Sequence, residues 1–257
     1  NGSGLDSTGL LHTNQGAGSM WLSDVAAPQL AWILFEFDSV HKLHEMWVWN
    51  SNESLEPVIG LGFKDVLIEH SRDGVDFVTL GTTHEFARAT GSSSYAHNTT
   101  IDMGGVGAKY VRLTANSNWG GLLPQFGLSE VRFLSIPVQA SEPDPAFGAF
   151  DVALDTDLAW RPGREAAKHN VYFSEDFQAV VDGTAPVTTT AAASHGPVSL
   201  DLGRTYFWRV DEVNDAETPA TWQGEIWSFM TIPSLVVDDF EGYTDDDAAN
   251  QAIWQHW

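Results

Sequence analysis

His44-Glu45-Met46-Trp47-Val48-Trp49-Asn50-Ser51-Asn52 is the stretch whose reading decides the fold. It alternates with period two, so in a β-strand Met46 and Val48 point to one face while Glu45, Trp47 and Trp49 point to the other. The aliphatic face is what the core of a sandwich requires. The aromatic face needs its own explanation: a neighbouring loop covers it, or it is a platform for a flat ligand such as a sugar ring. The strand then runs into Asn50, Ser51 and Asn52, and the two amides can donate to and accept from hydroxyls.

Working outward, short alternating segments recur through residues 1–137. Gly4 to Ser19 is rich in Gly, Ser, Thr and Asn and reads as loop. Trp32 to Phe37 alternates with Ile33, Phe35 and Phe37 on one face, and Leu43 to Trp49 is the next strand. Val66 to Glu69 is joined to Phe77 to Leu80 through the turn chemistry of Ser71-Arg72-Asp73-Gly74, a hairpin. Tyr95 to Ile101, Lys109 to Leu113 and Ser129 to Leu134 complete the set. Strands at this spacing with no amphipathic helix between them predict an antiparallel, all-β sandwich.

Composition bounds the partners. The chain has 257 residues, enough for two domains or one long β domain. Twelve basic against 35 acidic residues give a formal net charge of −23, which argues against nucleic acid and anionic membrane surfaces, both of which need Lys and Arg. Eleven Trp is a high count, so some of these rings are expected outside the core as stacking surfaces. Trp21 and Trp32 are assigned to the core. Cysteine is absent, so no disulfide framework can be argued. Neither a signal peptide nor a run of 18 apolar residues is present. The chain opens and stops abruptly, and is expected to be a segment of a longer protein.

The order Ser19-Met20-Trp21, Ala31-Trp32-Ile33, the Lys42-to-Asn50 strand, Ser71-x-Asp73-Gly74-x-x-Phe77, Ala108-Lys109-Tyr110-Val111-Arg112-Leu113 and Gly127-Leu128-Ser129-Glu130-Val131-Arg132-Phe133 resembles the discoidin, or coagulation-factor C-type, domain. That family has the galactose-binding-like jelly-roll fold and includes bacterial carbohydrate-binding modules. The resemblance implies a structural calcium held by Glu130 with oxygens from Asn14, Gly16 and Ser19. Where the family has Asp-Gly-Asp, this sequence has Asn14-Gln15-Gly16, and the alternative is that Glu130 only caps or pairs. The resemblance also implies a ligand site in loops at one end of the sandwich. The matching loops are Asn50 to Gly62, with Trp49 leading into Asn50 and Asn52, and Asn116-Ser117-Asn118-Trp119-Gly120-Gly121. Tyr95-Ala96-His97-Asn98 lies near them, bringing His97. Trp119 between Asn118 and glycines is the first candidate to stack on a sugar, with Asn116, Asn118 and His97 fixing hydroxyls. The competing reading is that Trp119 plugs the end of the barrel and that Trp47 packs against a neighbouring module.

Residues 138–142 are expected to be a linker, marked by Pro143-Asp144-Pro145. Residues 143–233 restart the strand pattern and resemble a fibronectin type III sandwich, with Trp160 at the family's core tryptophan and Tyr206 at its tyrosine corner. Trp208 and Trp227 are expected to be structural. Residues 234–257 form a third piece, in which Val236-Val237-Asp238-Asp239-Phe240-Glu241-Gly242-Tyr243 resembles the opening strand of a laminin-G-like or other jelly-roll module. The acidic run Asp245-Asp246-Asp247 reads as a solvated turn. The tail is too short to bury a core alone, so it is the start of a further module or a docked tail.

No Gly-x-Ser-x-Gly, His-Glu-x-x-His, phosphate-binding Gly loop or cysteine nucleophile is present. His41 and His44 fall on opposite strand faces and make a poor metal pair. Acidic residues are plentiful, but nothing positions a pair for glycoside cleavage. The expectation is a non-catalytic fragment of a multimodular extracellular protein, secreted or at the cell surface. Its first sandwich binds a glycan or polysaccharide and its second is a spacer between neighbouring modules of the same chain. The alternative is a structural or adhesive surface protein whose sandwiches assemble with proteins. Lipid head-group binding is a third option, opposed by the negative charge. Asn52-Glu53-Ser54 and Asn98-Thr99-Thr100 fit the glycosylation acceptor pattern and are expected to be bare.

Overall fold

A computed structural model describes the whole chain except residues 1, 16–17, 26–30, 122, 238–242, 245 and 253–257. Two units divide it, Asn1–Pro137 and Val138–Trp257. Both are all-β sandwiches, and no helix among the described residues is long and apolar enough to cross a membrane.

The first unit runs β1 (Leu11–His12), β2 (Trp21–Leu22), β3 (Ala31–Asn50), α1 (Glu56–Ile59), β4 (Asp65–Ser71), β5 (Val78–Thr79), β6 (His84–Glu85), β7 (Tyr95–Ala96), β8 (Thr99–Ala115) and β9 (Gly127–Ile136). Its main sheet has the order β2-β9-β3-β8-β4-β5, with β6 beside β4, while β1 and β7 pair separately. The two strands expected at Trp32–Phe37 and Leu43–Trp49 are one continuous element, β3. Its first part pairs Ala31–Glu36 with Tyr110–Ala115 of β8; after a register break between Glu36 and His41, its second part lies between Thr99–Ala108 of β8 and Leu128–Ile136 of β9. Likewise the segments expected at Tyr95–Ile101 and Lys109–Leu113 become β7 and one long β8.

Alternation along β3, reset by a second register shift between Leu43 and Glu45, sends an apolar set inward from each half. Ile33, Phe35 and Phe37 from the first half meet Leu43, Met46 and Val48 from the second, together with Val66, Ile68, Val111 and Leu113, in one core. The sheet therefore folds across that core as two layers. Phe133 joins the halves, lying edge-on to Phe35 at 5.2 Å and to Phe37 at 5.1 Å. Met46 and Val48 are fully buried, each worth about 1.5–3 kcal/mol of transfer free energy. In the expected hairpin, Asp73 Oδ1 accepts from Val75 N and Asp76 N, both at 2.9 Å, and those bonds hold its carboxyl down at about 2.

The second unit runs β10 (Ser141–Asp144), β11 (Ala149–Val152), β12 (Leu158–Arg161), β13 (Lys168–Ser174), α2 (Phe177–Asp182), β14 (Val187–Thr190), β15 (Ser194–His195), β16 (Thr205–Val213), β17 (Thr221–Trp222) and β18 (Ile226–Thr231). One sheet has the order β11-β18-β16-β13-β14 with β17 on β16, and the other β10-β12-β15. Residues 138–142, expected as a linker, belong to this unit instead: Ala140 is buried in its core and Ser141 pairs with Arg161. Trp160, Trp208 and Trp227 are core residues, the last two in edge contact at 4.7 Å. The Tyr206 hydroxyl accepts from Asp201 N at 2.9 Å, the backward bond of a tyrosine corner.

β16 also carries two buried ionic pairs, and both are satisfied internally. Arg209 grips Asp211 with two bonds, 2.8 and 3.1 Å, and donates to the Val180 and Val181 carbonyls at the end of α2. Glu212 bonds His169 and accepts from Gly163 N at 2.9 Å. In the tail, Val236 and Val237 are exposed and in no strand, and the rest of the expected opening strand up to residue 242 lies outside the described residues. Asp246 Oδ1 accepts from Ala248 N and Ala249 N, which makes a turn of the part of the acidic run that is described.

Replacing Tyr206 by Phe removes the corner bond and leaves the ring packed on Phe173 at 5.1 Å. The expected cost is about 1 kcal/mol, read as a lower denaturant midpoint for the second unit with an unchanged slope.

Candidate functional site

The expected ligand loops do meet, but through backbone. Gly120 N donates to Gly60 O at 2.7 Å and Trp119 N to Gly62 O at 3.2 Å, so the 50–62 and 116–121 loops are joined. A Cβ on Gly120 would come 1.8 Å from Ile59 O, which is why only glycine fits there. The loops close the end of the sandwich, and most polar groups expected to face a ligand are consumed in closing it.

Asn50 is fully buried. Its Nδ2 donates to Phe63 O at 2.7 Å and Ala87 O at 2.9 Å, and its Oδ1 accepts from Ser51 N. Asn52 is equally buried, donating to Thr13 O and Ser92 O and accepting from Gly91 N. Asn118 donates to Leu123 O and Gln125 O and accepts from Gly121 N. These three amides fasten loops, and the expectation that they line an open site is corrected on that ground. Trp49 is corrected too: it is 0% exposed, donates to Leu10 O at 3.1 Å, and lies beneath Ala89, Tyr95 and the Arg132 guanidinium. Trp119 is half-buried, its indole N–H held by Phe86 O at 2.9 Å and Lys64 Nζ 5.2 Å above its ring, so it acts as the plug. His97 stacks on Trp47 at 4.5 Å with 5° between planes, which occupies one face of the outer platform. Asn116 stays exposed, its backbone bonded to Asp65 O.

Of the expected calcium ligands, Gly16 lies outside the described residues. Asn14 Nδ2 donates to Gly91 O at 2.9 Å. Ser19 donates to Gln15 O, and Glu130 Oε2 accepts from Gly2 N at 2.9 Å. Of these, Ser19 and Glu130 line one cleft. Among the described residues no group of three His, Asp or Glu side chains converges on a point.

The open surface lies one strand away. β2 is two residues long and, among the described residues, pairs with β9, Trp21 opposite Leu128 and Leu22 opposite Gly127. Trp21 makes a T-shaped contact with Phe63 at 6.0 Å and 83° and remains 40% exposed. Two concavities border it. One is a hollow of about 150 Å³, its apolar wall made by Leu55, Ile59 and Leu61 and its polar wall by Ser51, Glu53 and Glu56. The second is a cleft of about 350 Å³, lined by the apolar Ile33, Phe35 and Val131 and the polar Ser3, Ser19, Ser129 and Glu130. Met20 and Trp21 belong to both.

Glu56 shapes the hollow. Its carboxylate accepts from Gly62 N at 2.8 Å and Leu61 N at 3.1 Å, pinning the loop that forms the apolar wall. Burial pushes its carboxyl above the ordinary value, against the pull of those N–H groups.

Trp21 and Trp32 were both expected in the core, and both expectations are corrected. Trp32 is 60% exposed. Its position was legible, since it is out of phase with Ile33, Phe35 and Phe37 and must face outward. Trp21 carried no such signal, because two residues of edge strand establish no period.

No family model matches the chain, and no curated protein matches it. Solved structures with some similarity include an Fn3-like protein from Clostridium thermocellum, at 16% identity and TM-score 0.27, covering 40% of this chain and 99% of that one. A beta-1,2-glucanase from Parabacteroides distasonis has 14% identity and TM-score 0.28, over 88% of this chain and 35% of that one. The glycoside hydrolase domain of Endo-D from Streptococcus pneumoniae R6 has 12% identity and TM-score 0.25, over 85% of this chain and 38% of that one. The chain spans little more than a third of the length of the two hydrolases. At these scores the fold rests on the strands themselves.

Asn50→Ala should cost about 3 kcal/mol, because two buried carbonyls and one N–H lose their partner; thermal unfolding of the first unit reads it. For Glu56, a folded pKa above the unfolded one means that the native state holds the proton more tightly. Its contribution is fully present below the ordinary value of 4.5 and is lost as pH rises through the raised value. Stability of the wild type minus that of Glu56→Gln, followed by denaturant titration, should therefore fall as pH increases above about 4.5 and level off once pH has passed the raised value.

Proposed function

We propose that the first unit is a discoidin-like, non-catalytic carbohydrate-binding module in which Trp21 is the ring that stacks on a sugar. The second unit is an Fn3-like spacer, and the pair belongs to an extracellular multimodular protein. The observation that supports this reading is the exposed Trp21 indole bordered by concavities that mix aliphatic walls with hydroxyls and carboxylates. The C–H face of a pyranose stacks on an indole, while carboxylates and serine hydroxyls bond its hydroxyls. Glu130 and Ser19 in the cleft and Glu53 in the hollow are the polar side chains offered to such a ring. Support for the spacer comes from the Tyr206–Asp201 corner and the three core tryptophans of the second unit.

A second reading, assembly with proteins, is favoured by Phe150, 72% exposed on the edge strand β11. An exposed aromatic beside unpaired strand backbone is a template for pairing with another chain.

Retention on insoluble polysaccharides separates the two. The wild type should be retained, and Trp21→Ala should lose retention while remaining cooperatively folded, since the residue is 40% exposed on an edge strand. Trp119→Ala should instead lower stability. Retention unaffected by Trp21→Ala, or no retention together with self-association that Phe150→Ser abolishes, would replace the carbohydrate reading by the assembly one.

A further inference from the structure

We propose that the site takes the interior of a glycan chain free of anionic groups, with one sugar in each of the two concavities that Trp21 lines, rather than a single terminal sugar. This rests on the reading of Trp21 as the stacking ring and adds to it the form and charge of the ligand.

Form follows from the two concavities. A site for a chain end is a blind pocket with the aromatic at its floor or flank. Here Met20 and Trp21 line both the hollow and the cleft, the partition at which the two concavities adjoin, and the cleft has more than twice the volume of the hollow. Each concavity has an apolar wall and its own polar groups, so each offers a sugar the same two kinds of contact that Trp21 offers. A monosaccharide fills one of them. A chain crossing the indole fills both, and the second sugar binds without a second loss of translational freedom.

Charge follows from the linings. The hollow contributes Glu53 and Glu56 and the cleft Glu130, while neither is lined by Lys, Arg or His. Lys64 is engaged over Trp119 and Arg88 on the Glu56 carbonyl, so neither is turned to the partition. A uronate or sulfated sugar would lose hydration and meet carboxylates with no cation to offset them. The whole chain, at −23, adds long-range repulsion. Hydroxyls and amides have no such penalty, and carboxylates are strong acceptors for them.

Titration calorimetry on the full chain with cello-, laminari- and chito-oligosaccharides of one to six units, and oligogalacturonides of the same lengths, tests this. In the neutral series that binds, Kd should fall roughly tenfold or more from the monosaccharide to the trisaccharide and then level off. Oligogalacturonides should not bind. Leu55→Trp, at an exposed position in the hollow, should return the trisaccharide to the affinity of the monosaccharide while unfolding normally. Equal affinity for monosaccharide and trisaccharide, or binding of oligogalacturonides as tightly as of neutral chains, overturns the proposal and leaves the stacking role of Trp21 standing. Failure of every series to bind removes that role and the proposal with it.

Discussion

Everything in the first unit depends on β3 supplying both layers of one core. A strand of 20 residues exceeds the usual length, and it stays in a small domain only because its pairing shifts between Glu36 and His41. Before the shift its inward residues are Ile33, Phe35 and Phe37; after it they are Leu43, Met46 and Val48. The break lets one strand turn a corner while the same apolar cluster stays beneath it. β8 follows the same corner because it is hydrogen-bonded along both halves, and Gly104 and Gly105 take positive φ at a second register shift, opposite Leu43–Glu45. A single continuous hydrogen-bonded sheet thereby does the work of two facing ones.

Closure of the sandwich end is the second constraint, and it explains why so much polar chemistry there is unavailable to a ligand. The strands end in loops whose backbone N–H and C=O groups are buried by one another and must be paired. Asn50, Asn52, Asn118 and Glu56 serve as those partners, each side chain meeting two or three backbone groups. An amide placed at the end of a strand is as well suited to this as to gripping a hydroxyl. Energetics decide between the two uses: leaving a buried carbonyl unpaired costs about 1–3 kcal/mol, so closure takes the amides first.

That competition also sets what was legible in the sequence. The all-β class, the inward set of β3 and the tyrosine corner at Tyr206 follow from period and spacing, because apolar burial is strong enough to override local variation. The same rule placed Trp32 outside, where its phase relative to Ile33 and Phe35 required it, against the habit of assigning tryptophan to cores. The fate of Asn50, Asn52 and Trp49 was not legible, since each depends on carbonyls from Phe63, Ser92 and Leu10 brought near by long-range contacts. Residues 138–142 misled for a related reason: the composition is that of a linker, but Ala140 is small enough to be buried among Trp160, Trp208 and Trp227.

Trp21 shows the converse. It stays 40% exposed on a two-residue strand that, among the described residues, pairs with β9, and its ring contact is the T-shaped one with Phe63. A large aromatic left in that state loses transfer free energy of the order of 1–2 kcal/mol relative to a buried one. The fold tolerates the loss because the ring stabilises little else, and the same independence makes the surface around it rigid. Ser51 and Glu56, fixed by the closure network, form one wall; β9, hydrogen-bonded to β3, forms the other. The ring therefore stands on a frame that closure has already ordered, and a flat apolar ligand face meeting it need immobilise little beyond the indole itself. A surface of that kind arises where a sandwich edge ends beside its own sealed loops, and in this unit it arises at Trp21, away from Trp119, which the sealing has consumed.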